Sequence, residues 1–181
     1  NLGAMYDEGR GVARDDAQAV AWWRKAAAQE DARAQFNLGV MYAEGRGVAR
    51  DAAEAVEWWG RAAEQGDADA QLNLGTMFAN GSGVRRDPSR AVEWWRQAAE
   101  QGDARAQFNL GLSYRDGRGV PQDGSEALVW LMVASARMSG EVQKKCADLR
   151  DALARVLPPA RVVDAEQRAR AWMEAFERRK P

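Results

Sequence analysis

The sequence predicts an all-α fold, a right-handed α-solenoid of helix–turn–helix units closed by C-terminal helices. Three observations predict it. Phe36-Asn37-Leu38-Gly39 returns 36 residues later as Leu72-Asn73-Leu74-Gly75 and again as Phe108-Asn109-Leu110-Gly111. Trp22-Trp23 returns as Trp58-Trp59 and Trp94-Trp95, then as Trp130-Leu131. Within each copy the apolar residues recur at helical spacing, on either side of a glycine-rich turn. A fixed period of this length marks a solenoid, in which each unit buries its apolar face only against its neighbours.

The elements follow in order along one copy. Asp31 N-caps a first helix running to about Glu44, and Asp67 and Asp103 repeat that role. Ala34, Leu38, Met41 and Tyr42 form its apolar stripe. Gly39 lies inside the helix, where glycine costs about 1 kcal/mol against alanine. Its recurrence as Gly3, Gly75 and Gly111 predicts that another helix approaches too closely for a side chain. Gly45 ends the helix as a left-handed residue, and Val48 returns to the core. The Gly-x-Gly-Val turn has neither the third glycine nor the Lys-Ser/Thr of a phosphate loop, and no strand precedes it.

Asp51 opens the second helix with Glu54 three residues on, and Asp15/Gln18 and Asp123/Glu126 repeat the spacing. Asp87 is followed by Pro88, a favoured first helical residue. Ala55, Trp58, Trp59, Ala62 and Ala63 line this helix, which ends near Gln65-Gly66. The tryptophan pairs admit an aromatic binding platform or a row of core knobs. Their register with alanines on the same face favours the core. The first of each set, Trp22, Trp58, Trp94 and Trp130, is expected to be buried, and the second partly covered.

Composition narrows function. With 26 basic and 27 acidic residues the formal charge is −1, which gives no drive toward phosphate backbones, so nucleic acid is not an expected partner. No apolar run is long enough to span a membrane. The chain has no histidine and one cysteine, so Ser/His/Asp and Cys/His catalysis, common zinc ligand sets and an internal disulfide are all unavailable. No catalytic residue, metal ligand or cofactor site is expected. Cys146 stands in register with Leu110, a core position. The opening Asn1-Leu2-Gly3 aligns with Asn37-Leu38-Gly39, so the chain reads as a fragment that starts in mid-repeat. Its exposed first helix offers Leu2, Met5 and Tyr6 for self-association with another copy. The compartment stays open between bacterial cytoplasm and periplasm.

The unit Ala34-Gln35-Phe36-Asn37-Leu38-Gly39-Val40-Met41-Tyr42…Gly45-Arg46-Gly47-Val48…Asp51…Ala55…Trp58-Trp59…Ala62-Ala63…Gly66-Asp67 resembles a Sel1-like repeat of the bacterial type, a relative of the tetratricopeptide repeat. The resemblance covers residues 1–139 as four units, 1–31, 32–67, 68–103 and 104–139. Residues 140–181 resemble the capping helices that close such stacks, with a last helix from about 160 to 178. Unit one has Glu30 where later units have Gly66 and Gly102. The resemblance implies an adaptor or scaffold with no enzymatic activity. A cysteine-rich branch of the family is linked to β-lactam chemistry, but this chain lacks its cysteine pairs.

By the same resemblance the first helices line a concave face that takes a protein or peptide segment. The invariant Asn37, Asn73 and Asn109 are unfavourable inside a helix and need a reason. Either they make structural hydrogen bonds, or they form a ladder of amides that hold the backbone of an extended peptide. Around them the variable positions are Arg33, Asp69 and Arg105; Phe36, Leu72 and Phe108; Val40, Thr76 and Leu112; Arg115, which follows Ala43 and Ala79; and Glu44, Asn80 and Asp116. Two other functions stand beside the scaffold. One is a structural spacer in a longer protein. The other is a hydrolase using carboxylates such as Glu44 and Asp116, which lie two units apart.

Overall fold

The computed structural model describes residues 2–179. Those residues hold ten helices and no strand: α1 (Leu2–Glu8), α2 (Asp16–Ala27), α3 (Ala32–Glu44), α4 (Ala52–Glu64), α5 (Ala68–Asn80), α6 (Pro88–Glu100), α7 (Ala104–Asp116), α8 (Gly124–Ser135), α9 (Gly140–Val156) and α10 (Pro159–Glu177). The chain is an all-α repeat fold of the solenoid type. It forms two compact units, Asn1–Asp87 and Pro88–Pro181.

The helix starts lie where the aspartates put them. Asp31, Asp67 and Asp103 accept from the backbone N–H of Ala34, Ala70 and Ala106 at 2.8, 2.8 and 2.9 Å. Asp51 accepts from Ala53 and Glu54, and Asp123 from Ser125 and Glu126. Pro88 is the first residue of α6. The first helices of repeats two to four end on Gly45, Gly81 and Gly117, all left-handed at φ 72°, 72° and 67°. Glu30 takes the same left-handed region (φ 62°) as its counterparts Gly66 and Gly102, so the first joint keeps its backbone path without glycine.

In the first unit Ala19, Val20, Trp23, Ala27, Ala34, Leu38 and Met41 form one core, with Tyr6, Val48 and Trp58 packed on its edge. The tryptophans differ from the sequence expectation. Trp23, Trp59 and Trp95, the second of each pair, are the buried ones, while Trp22, Trp58 and Trp94 are half-exposed. Only Trp130 of the expected set is buried. The recurring glycine explains the order. A Cβ on Gly39 would lie 2.4 Å from the Trp59 indole, and one on Gly3 would lie 2.6 Å from that of Trp23. The second tryptophan therefore occupies the hollow left by the glycine of its own repeat. Trp59 also donates its Nε1–H to the Phe36 carbonyl at 3.2 Å.

Neighbouring repeats are joined at main-chain atoms. A Cβ on Gly47 would fall 2.3 Å from the carbonyl oxygen of Asp16, and one on Gly83 would fall 2.2 Å from that of Ala52. In the second unit Gly119 meets the carbonyl of Pro88 in the same way. Each turn thus rests on the first residue of the preceding repeat's second helix. At that helix's other end a buried glutamine is the fastener. Gln71 Nε2 donates to the Ala63 carbonyl and Gln107 Nε2 to that of Ala99, each at 3.1 Å. Sequence reasoning passed over these glutamines, although their invariance beside the apolar stripe was the available signal.

A third tie is present in some repeats. Arg24 donates to the Tyr42 hydroxyl at 2.7 Å, and Arg96 to that of Tyr114 at 2.6 Å. In the remaining pair of this register both partners change together: Gly60 replaces the arginine and Phe78 the tyrosine. Gly60 lies inside α4, and a Cβ there meets nothing within 4 Å. Gly60→Ala is therefore expected to stabilise the chain by about 1 kcal/mol, the helix-propensity difference. Urea unfolding of the single variant checks this.

The second unit ends in two long helices. α9 begins at Gly140 and α10 covers the span expected for the last helix. α10 packs on α8, burying Ala165 and Ala169 against Leu128, Val129 and Val133. Val163 is 51% exposed, because it follows Val162 by one helical step and turns off the contact face. Cys146 is fully buried beside Leu131 and Ala134, and its thiol donates to the Leu131 carbonyl at 3.3 Å. Burial pushes that thiol up to about 11, which keeps it protonated and unreactive at neutral pH.

Candidate binding surface

Each unit presents its own part of the expected site. In the first unit α3 and α5 carry two copies of it. Asn37 and Asn73 are half-buried. Their side-chain amides make no hydrogen bond among the described residues. Phe36 and Val40 are half-buried, and Arg33 and Glu44 exposed. On α5 Asp69 and Asn80 are exposed, whereas Leu72 is only 6% exposed and contributes to packing. Thr76 is half-buried, with its hydroxyl turned back to donate to the Leu72 carbonyl at 2.9 Å. Asn1, the earliest asparagine of the series, lies outside the described residues.

In the second unit α7 carries one copy. Asn109 and Leu112 are half-buried, and the Asn109 amide also makes no hydrogen bond among the described residues. Phe108 packs at the edge of the cluster around Leu131 and Cys146. Arg105 is exposed and pairs with Asp103 at 2.7 Å. Arg115 pairs with Asp116 at 2.6 Å, and this hydrogen bond holds the Asp116 carboxyl below its ordinary range and raises Arg115.

One ionic cluster was not legible beforehand. Arg46, in the turn after α3, bonds Asp7 of α1, reaches Asp16 of α2 at 3.2 Å and Glu44 at 3.4 Å. Hydrogen bonds from Arg14 and then Arg46 hold the Asp16 carboxyl below its usual range. Its hydrogen bonds to Asp16 and then Asp7 push the Arg46 guanidinium further up. A cation meeting carboxylates from both helices of repeat one ties the turn of repeat two in place. Its residues are partnered with each other, so the cluster is a joint and not a ligand site. Among the described residues no group of three His, Cys, Asp or Glu side chains is placed to hold a metal ion. No helix among them is long and apolar enough to cross a membrane.

The sequence profile of the Sel1 repeat matches residues 1–31, 32–67, 68–103 and 104–134. A crystal structure of a Sel1 repeat protein from Oxalobacter formigenes is similar at TM-score 0.79 and 35% identity, over 94% of this chain and 70% of that one. A second is c5321, described as a protective antigen present in uropathogenic Escherichia coli strains and displaying an SLR fold. It matches at TM-score 0.74 and 44% identity, over 75% of this chain but 29% of its own. Cysteine-rich protein B of Helicobacter pylori, at TM-score 0.55 and 19% identity, over 73% of this chain and 94% of its own, shares the fold alone. No curated protein matches the sequence. Sel1 repeat proteins are generally protein-interaction scaffolds and typically non-catalytic. With four matched repeats over most of its length, this chain belongs to the Sel1 repeat family.

Proposed function

We propose that the chain is a non-enzymatic scaffold that holds an extended segment of a protein partner on the first helices of its repeats. The observation that carries this reading is the state of the asparagines. Inside a helix an asparagine is unfavourable, and a structural role calls for a hydrogen bond to a neighbour. Asn37, Asn73 and Asn109 make none among the described residues, yet each is half-buried. An amide carries donor and acceptor together, which matches the donor and acceptor that an extended backbone offers at each residue. Phe36 and Val40 beside Asn37 supply apolar contact, and Arg33, Asp69 and Arg105 supply the charge that varies from repeat to repeat. The asparagines then give affinity, and the residues around them give specificity.

Asn73→Ala tests this. A peptide selected on the wild-type chain from a random display library serves as the ligand. The variant is expected to weaken its binding by about 1–3 kcal/mol, the range for a backbone group left unpaired on burial. Thermal stability should stay within a few tenths of a kcal/mol of wild type, since no hydrogen bond of the fold is lost. Calorimetry and melts on the same preparation separate the two effects. Lost stability with unchanged affinity per folded molecule would reject the ladder.

A further inference from the structure

We propose that the first unit carries a separate side-chain pocket that receives a basic residue, arginine or lysine, of the protein partner. This proposal rests on the scaffold reading but not on the asparagine ladder. The pocket is a cavity of about 510 Å³ at the joint between repeats one and two, reaching the end of α4. Glu30, Gln35, Arg61, Glu64 and Gln65 are among the residues that line it.

The second unit shows what this place in the repeat accepts. Two repeats further along the sequence, the counterparts of Glu30, Glu64 and Gln65 are Gly102, Ala136 and Arg137. There a side chain of the protein itself fills the position. The Phe176 ring from α10 lies against Gly102, where a Cβ would be 2.4 Å from its Cζ, and the Arg137 guanidinium covers it at 4.1 Å from the ring centroid. Trp172 stacks on the same ring at 5.1 Å. The joint is thus a built receptacle for an inserted side chain, and in the second unit its chemistry is an aromatic ring under a cation.

In the first unit each of those determinants is changed. Glu30 carries a Cβ at the place where Phe176 touches glycine, so a ring cannot seat at the same depth. Gln65 replaces the covering cation, and Glu64 adds a second carboxylate where Ala136 stands. The Gln65 amide donates to Gln35 Oε1 at 2.7 Å, which leaves a fixed polar floor. Arg61 also lines the pocket, with its guanidinium stacked 4.5 Å from the centroid of the Trp58 ring. Two carboxylates against one stacked cation make the pocket complementary to a basic side chain and repel an acidic one.

The test uses acetylated and amidated tripeptides, Gly-Arg-Gly, Gly-Phe-Gly and Gly-Glu-Gly, titrated into the full isotopically labelled chain and followed by NMR. The arginine peptide is expected to shift the side-chain amide signals of Gln35 and Gln65, and the other two to leave them in place. Glu30→Gly should weaken the arginine peptide about threefold, the effect of removing one exposed charge partner. The same change should raise the melting temperature, because it installs the residue that repeats two and three use at this left-handed position. A more stable protein that binds less cannot be explained by misfolding. Glu64→Gln should lower affinity by a similar factor, and Asn73→Ala should leave tripeptide binding unchanged. Equal response to the phenylalanine peptide, no response to the arginine peptide, or a Glu30→Gly variant with wild-type affinity would each overturn the pocket. None of these outcomes bears on the ladder, which the display-selected peptide tests alone.

Discussion

Gly83→Ala is expected to destabilise the chain by about 3 kcal/mol, through left-handed strain of about 1–2 kcal/mol and overpacking of about 1–3 kcal/mol. Two effects act at one position. Its φ of 68° is a conformation that an L side chain adopts with strain. The added methyl also falls 2.2 Å from the Ala52 carbonyl oxygen and 2.7 Å from the Ala53 nitrogen. Neither of those atoms is the far end of a flexible side chain, so relief requires the turn to lift off α4. Equilibrium urea unfolding gives the value. The control is Gly60→Ala in α4, the same chemical change with the opposite expected sign. If both variants moved stability in the same direction, the contrast between a gripping glycine and an idle one would fail.

The other large effect belongs to the tryptophans. Trp59→Ala should cost about 3–5 kcal/mol, the usual range for truncating a buried aromatic. It empties the space over Gly39 and removes the indole donor to the Phe36 carbonyl. Trp58→Ala should cost clearly less, because that ring is half-exposed at the edge of the core and covered on one face by Arg61. Denaturant melts of the two variants side by side decide it. A larger loss at Trp58 would reverse the assignment of the core.

The order of the tryptophans shows where a sequence stops being informative. Adjacent helical residues are about 100° apart, so a stripe that includes one of them admits the other when both are tryptophan. Alanines on both sides of the pair did not break the tie. The hollow at Gly39 does, but only once it is known which side chain fills it. Caps and turns were legible because their causes are local. An aspartate accepts from an N–H two or three residues away, and a glycine supplies its own left-handed φ. Gln71 was illegible for the opposite reason, since its partner is a carbonyl on another repeat, and by type alone a glutamine reads as surface. The binding residues fall between these cases. Register placed Phe36, Leu72 and Phe108 at one position, but exposure depends on what packs nearby. Phe36 remains half-open, Leu72 is buried, and Phe108 leans on the cluster around Cys146. Glu30 was visible as a departure, yet the cavity beside it follows only from the ends of α2 and α4 lying together.

The joints grip atoms that every amino acid carries. Gly47, Gly83 and Gly119 each sit on a carbonyl, and Gln71 and Gln107 each hold one. A fastening made on the main chain is indifferent to the identity of the residue fastened: Asp16, Ala52 and Pro88 serve equally at one end. A repeat copied in frame into the array therefore arrives with both halves of its couplings ready, and a repeat deleted leaves two ends that still match. The number of repeats can change by duplication or loss without these main-chain couplings being redesigned. Side chains that touch neither these couplings nor a partner on the next repeat then remain free to diverge one repeat at a time.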